Sequence, residues 1–241
     1  MPSPLFGRLL AAGALVLAGT GAAASDWRSA SREPVGLAPD PALVREPVVQ
    51  VYAARTWGLR GWFGVHTWVA VKPLDAPAYT VYEVIGWRLR YADSVLVVRN
   101  RPPDARWFGN EPELLAEKRG AGVAELIARI ERAALAYPFQ NEYIVWPGPN
   151  SNTFTAWIAR AVPELEVDLP PTAIGKDYLG GSIVGTAPSG RGFQLSLGGL
   201  LALTASTVEG LEVSLLGLTF GIDPFDPALK LPVVGRIGPA R

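Results

Sequence analysis

The chain has 241 residues, 49% of them hydrophobic and 18% charged, with 22 Lys plus Arg against 22 Asp plus Glu. That much apolar material supplies a sizeable core and excludes intrinsic disorder. Zero net charge, with no basic stripe and no Gly-rich phosphate loop, speaks against a nucleic-acid partner, which demands clustered positive charge. With no cysteine and a single histidine, His66, one chain offers no disulfide, no thiolate nucleophile, no lipid-modified cysteine and no site of two imidazoles. No acidic run has cation-loop spacing, and no cofactor is expected.

The first residues read as an export signal or membrane anchor over 1–24. Arg8 gives a modest positive start, Leu9 to Ala23 is an apolar run, and Ala22-Ala23-Ala24 precedes Ser25 as a small-residue cleavage site. The run is short against the ~20 residues of a membrane helix, which favours a cleaved signal. The expected location is the periplasm, free or anchored to the inner membrane through this segment. Residues 25–46 are polar and proline-bearing and read as a linker.

A domain is expected over 47–190. Val48 to Ala54 is a β-rich run, Trp57 to Phe63 an aromatic, glycine-rich loop, and His66 to Lys72 an alternating strand. After a turn at Pro73 to Pro77, Thr80 to Trp87 returns and Val95 to Arg99 adds a short strand, which makes an antiparallel meander. Asn110-Glu111-Pro112 reads as a helix start. Val123, Leu126, Ile127, Ile130 and Ala134 then fall at helical spacing until Tyr137-Pro138. Tyr143 to Trp146 reads as a short extended piece. Asn150 or Ser151 caps a second helix with Phe154, Trp157, Ile158 and Ala161 on its apolar face, stopped at Pro163. In 191–241, Phe193 to Thr204 and Leu211 to Ile222 are apolar, glycine-interrupted and joined by a polar break. They read as a two-stranded β-ribbon, each half being too short to cross a membrane as a helix. Strands, then helices, then a β-rich extension give an α+β class.

The chemistry concentrates at His66 and Ser151. A hydroxyl needs a base within hydrogen-bond reach and a third group to orient that base. Ser151 sits at a helix start, where unpaired N–H groups carry partial positive charge that suits a carboxylate or an oxyanion. Ser151 is equally well a plain helix cap, and His66 a satisfied strand histidine. Glu83 is the candidate orienter, and its facing depends on register. With His66 across from Ile85, Glu83 shares its side; with His66 across from Gly86, Tyr82 takes its place. Trp57, Trp62, Trp68 and Trp87 belong to the core or to an aromatic platform. Lys176, Asp177 and Tyr178 read as a surface loop or a rim of the site.

H-T-W-V-A-V followed by N-S-N-T-F resembles the circularly permuted papain-like fold of the lecithin–retinol acyltransferases, the NlpC-type peptidoglycan peptidases and the PPPDE-type peptidases. The resemblance aligns His66 with the family histidine and Ser151 with the cysteine nucleophile, with Asn152 and Phe154 in the flanking pattern. It implies Ser151 as nucleophile and His66 as base, on a peptidoglycan-peptide or acyl-lipid substrate; Asn150, Asn152, Trp68 and Tyr143 are the candidate substrate-binding residues. Serine for cysteine changes the chemistry, because a thiol ionises near pH 8.5 and a hydroxyl does not. The implied function is therefore a Ser–His hydrolase or acyltransferase of the envelope, or a binding module without turnover. Over nearly the whole mature chain, V-Q-V-Y-A-A-R-T-W-G, W-F-G-N-E-P-E-L-L, W-P-G-P-N-S-N-T-F and P-P-T-A-I-G-K-D-Y-L-G are similar to the bacterial family of domain of unknown function 3750, which implies no activity.

Overall fold

The computed structural model describes residues 26–239, so the segment read as an export signal lies outside them. The chain divides into two compact units, Met1–Ala30 and Ser31–Arg241. The described part of the first is a turn in which Asp26 O accepts the Ser29 N–H at 3.0 Å. The second holds every strand and helix among the described residues.

Five antiparallel strands form the first sheet: β1 (Val48–Arg55), β2 (Val65–Lys72), β3 (Thr80–Val84), β4 (Leu96–Asn100) and β5 (Pro112–Arg119), in the order β4-β3-β2-β1-β5. The expected meander is therefore present, with β5 added on the far side of β1. The expected helix start at 110–112 is corrected: Trp107 and Asn110 close a tight turn, and Pro112 opens β5. Proline fits the first position of a strand, which needs no ladder N–H there. The return strand ends at Val84, and Gly86–Arg90 coils into a 3-10 helix. Gly58–Trp62 forms another such helix in the aromatic loop.

Valines of β1 and β2 alternate to opposite faces with period two. Val49, Val51, Val69 and Val71 meet helices α1 (Val123–Leu135) and α2 (Ser151–Ala161) in the larger core. Val48, Tyr52, Trp68 and Ala70 form a second core on the other face, covered in part by Ala38 and Val44. Residues 31–46 lack regular structure, as their composition predicts, but they are bound down. Asp104 Oδ2 accepts Leu37 N at 2.7 Å, Tyr79 donates to Pro39 O at 3.1 Å, and buried Lys72 donates to Glu46 O at 2.9 Å. The Tyr143–Trp146 piece joins no strand.

The tail departs from the expected two-stranded ribbon. Each apolar half folds on itself at a glycine turn: Phe193–Leu197 (β7) pairs with Leu201–Ser206 (β8), and Gly210–Leu215 (β9) with Leu218–Asp223 (β10). With Val184–Gly185 (β6), Ala228–Leu231 (β11) and Gly235–Ile237 (β12) they make a seven-stranded meander. Its alternation is inverted with respect to solvent. Gln194, Ser196, Thr204, Glu212, Ser214 and Lys230 point inward and are buried. Rows such as Val184, Leu195, Leu203, Val213 and Phe220, adjacent through their pairings, point outward and are exposed.

Candidate functional site

Asn150 opens α2. Its side-chain oxygen accepts Asn152 N at 2.9 Å and Thr153 N at 3.3 Å, while Thr153 Oγ1 accepts Asn150 N at 3.1 Å, a reciprocal capping box. Asn150 Nδ2 donates to Val145 O and Ile174 O, both at 3.0 Å. A Cβ on Gly175, which has φ +97°, would lie 2.4 Å from that nitrogen, so only glycine leaves room for the cap. Asn152 Nδ2 donates to Ile174 O at 2.8 Å and Val65 O at 3.2 Å. Thr67 Oγ1 lies 3.1 Å from Ser151 O and 2.8 Å from Thr155 Oγ1, which fastens β2 to the first turn of α2.

Ser151 therefore follows the cap rather than forming it. Ser151 neighbours the Tyr143 hydroxyl. Burial raises the Tyr143 pKa above its ordinary value, and the polar groups of Ser151 offset part of that rise. Tyr143 packs flat on Gly86, where a Cβ would stand 2.4 Å from the ring. Ser151 is 3% exposed. Two N–H groups that would receive an oxyanion, those of Asn152 and Thr153, are occupied by Asn150.

His66 faces elsewhere. β2 pairs with β1 in unbroken register, Ala54 opposite His66 and Ala53 opposite Thr67. Thr67 points to α2, so alternation sends the His66 ring to the opposite face, with Trp68 as next neighbour but one. The β2–β3 register, Val69 opposite Tyr82 and Ala70 opposite Val81, extends to Ile85 opposite His66 and so brings Glu83 to the same side. His66 Nε2 lies 3.0 Å from Glu83 Oε2. A carboxylate accepts only, so Nε2 carries the proton. Arg99 Nη2 and Arg101 Nε approach the other carboxylate oxygen at 2.9 and 3.5 Å. Trp107 stacks on the imidazole with ring centroids 3.7 Å apart, and Trp87 stacks on Trp107 at 5.9 Å. Burial lowers the His66 pKa, against the opposing pull of Glu83. Burial pushes Glu83 up, yet the His66 bond and the charges of Arg101 and Arg99 outweigh it and bring the carboxyl down to about 2.

The sheet itself thus separates the two groups expected to form a dyad. His66, Glu83 and Trp68 gather on one face; Ser151, Asn150, Asn152 and Tyr143 gather on the other. No hydrogen bond joins His66 to Ser151 among the described residues. Glu83 orients His66, and among the described residues no hydroxyl is hydrogen-bonded to that ring. Arg99, Arg101 and Trp107 were missed in the sequence. Alternation through Val97 and Arg99 on the neighbouring strand, continued to Arg101 just past its end, carries a signal for the arginines, whereas nothing local marks Trp107. Trp68 is fully buried and Trp87 is 43% exposed, so the tryptophans divide between core and rim.

Lys176 and Asp177, expected on a surface loop, are corrected to buried positions. Lys176 Nζ reaches Asp177 Oδ1 at 3.1 Å and Glu212 Oε2 at 2.6 Å. Lys230 Nζ reaches Asp168 Oδ1 at 2.6 Å and Glu212 Oε1 at 2.9 Å. Sequence distance hid this lattice, because its members come from segments up to 62 residues apart. Among the described residues no group of three or more His, Asp or Glu could hold a metal ion.

A family model described as "Protein of unknown function (DUF3750)" matches residues 46–178. No curated protein and no solved structure matches the chain. The matched span holds β1 to β5, both helices, His66, Glu83 and Ser151, and stops short of the seven-stranded sheet.

Proposed function

The chain belongs to the DUF3750 family, and from the placement of its histidine and serine we propose that it is a binding module of the cell envelope that does not turn over substrate. One observation carries this reading. The imidazole is locked to Glu83 beneath Trp107 on one face of the sheet, while Ser151 opens the helix that Thr67 fastens to the other. Without a base in reach, a serine hydroxyl stays protonated and is a poor nucleophile at neutral pH. The envelope assignment rests on the apolar segment 9–23 and its small-residue end.

A permuted papain-like ancestry is consistent with this reading. The histidine strand precedes the serine helix and packs against it, and Asn152 and Phe154 keep the flanking pattern. The residues that line a cleft in such enzymes serve here as a structural joint: Asn150 caps, Asn152 and Thr67 bind α2 to β2, and Tyr143 covers Ser151. The ligand classes the resemblance implies are peptidoglycan peptides and acyl lipids.

A serine-reactive fluorophosphonate probe tests the proposal on the folded full chain. The expected result is no labelling under conditions that label a control serine hydrolase. Labelling lost in both Ser151→Ala and His66→Ala would establish a working dyad and overturn the proposal. The same chains separate cap from nucleophile. Asn150→Ala should lower stability by about 1–2 kcal/mol as a lost cap, with Ser151→Ala costing less.

A further inference from the structure

A strand places alternate side chains on opposite faces, and a soluble sheet puts its polar set outward. β7 to β11 do the reverse. Every inward position that packs on the body carries a hydroxyl, amide, carboxylate, ammonium or small residue, and the outward positions are Leu, Val, Ile, Phe and Ala. The middle outward row, Leu195, Leu203, Val213 and Phe220, is 36% to 48% exposed at each residue. Seven strands at about 4.8 Å spacing make a face roughly 30 Å wide. Such a continuous apolar area is larger than singly scattered surface leucines and marks an interaction site.

Three features identify what covers it. A protein interface brings about one hydrogen bond per 100–200 Å², and the outward side chains here offer no donor or acceptor. A hydrocarbon phase asks for none. The face is also dished, with a trough of about 620 Å³ along it, lined by Phe193, Leu211, Ile222 and Leu229 beside that middle row. Two such faces pressed together would enclose both troughs as voids, which close-packed interfaces avoid. Mobile acyl chains fill an irregular hollow. The apolar surface also runs off one end of the sheet through exposed Leu200, Leu216, Val145 and Trp146, whose indole N–H is already given to Leu216 O at 2.8 Å. A flat protein partner would leave that end bare.

We infer that the outward face of the seven-stranded sheet seats on a phospholipid leaflet, with its Leu, Val, Ile and Phe rows among the acyl chains. Seating is not crossing. Strands of six residues or fewer fall short of the ~9–11 that span a bilayer, and no described helix is long and apolar enough to cross one. The 25 residues ahead of the described structure hold the apolar run 9–23, whose reading as an export signal or anchor agrees with a site of action at the envelope. The inference is independent of whether Ser151 reacts.

Because the chain has no cysteine, one introduced thiol gives a unique label. Full-length Leu203→Cys carrying a nitrobenzoxadiazole dye should brighten severalfold and shift to the blue with phosphatidylethanolamine–phosphatidylglycerol vesicles. Spin-labelled lipid should quench it, while the dye on Glu125→Cys, on exposed α1, stays unchanged. A dye at position 203 that stays water-exposed on bound vesicles overturns the inference. So does a dye already blue-shifted without lipid in a particle of twice the chain mass, which would assign the face to a second copy. Adding Val213→Glu and Phe220→Glu, both at exposed positions, should abolish the response while thermal unfolding is retained. A response that survives in this folded variant also overturns the inference.

Discussion

The five-stranded sheet buries both of its faces in valine, tyrosine and tryptophan, whereas the seven-stranded sheet packs a polar face on the body and turns an apolar face outward. Both obey the same period-two rule, so the period alone does not say which side is inside. What differs is the neighbour. The first sheet meets helices and the strap of residues 31–46. The second meets charges on Asp168, Lys176 and Asp177 that only charged or hydrogen-bonding partners can satisfy.

Lys230→Met should give the largest effect and would break the comparison if it did not. It leaves Asp168 and one Glu212 oxygen buried without their ammonium, and about 3–5 kcal/mol should vanish from urea unfolding. Glu83→Gln comes next, with about 2 kcal/mol lost, since Arg99 is half exposed and screened while Arg101 is not. Acid should expose the same network. The Glu83 carboxyl sits at about 2 in the fold against 4.5, so its contribution is fully present above pH 4.5 and disappears as pH falls through 2. His66 is lowered below 6.5, so the unfolded chain takes up a proton that the buried ring refuses, and stability starts to drop as pH falls below 6.5. Unfolding midpoints followed from pH 8 to 3 should fall in these two windows, the lower one flattened in Glu83→Gln.

Gly86→Ala sharpens the contrast in packing. A methyl against the Tyr143 ring should cost about 1–3 kcal/mol, read as a lower thermal midpoint. At the small end, Leu203→Ser on the outward face should change denaturant stability by no more than ~0.5 kcal/mol, because that side chain is half exposed. A large loss there would mean that the face is covered even in the isolated chain.

The strands β1 to β4 and both helices were legible because alternation and helical spacing are local signals. Glu83 was legible as a conditional: the register with Ile85 opposite His66 places it beside the imidazole, and the other register does not. The separation of His66 from Ser151 was present in the alternation of H-T-W, where only one of His66 and Thr67 can face the serine helix; the motif order masked it. The tail was misread as one ribbon because glycine serves both as a bend within a strand and as the hinge of a hairpin. Gly198-Gly199 and Gly217, all at positive φ, are hinges. Trp107 and the lattice around Glu212 depend on where distant loops land, which no local pattern encodes.

Glu212 and Lys230 belong to the C-terminal meander, while Lys176, Asp177 and Asp168 precede it, and two of the four ion pairs among them, Lys176–Glu212 and Lys230–Asp168, cross the join. Pulling the meander away would break both of these buried pairs, which couples its detachment to the rest of the fold. Heating should therefore give one cooperative calorimetric transition for the whole Ser31–Arg241 unit: what reads as an appendage behaves thermodynamically as part of a single folding body.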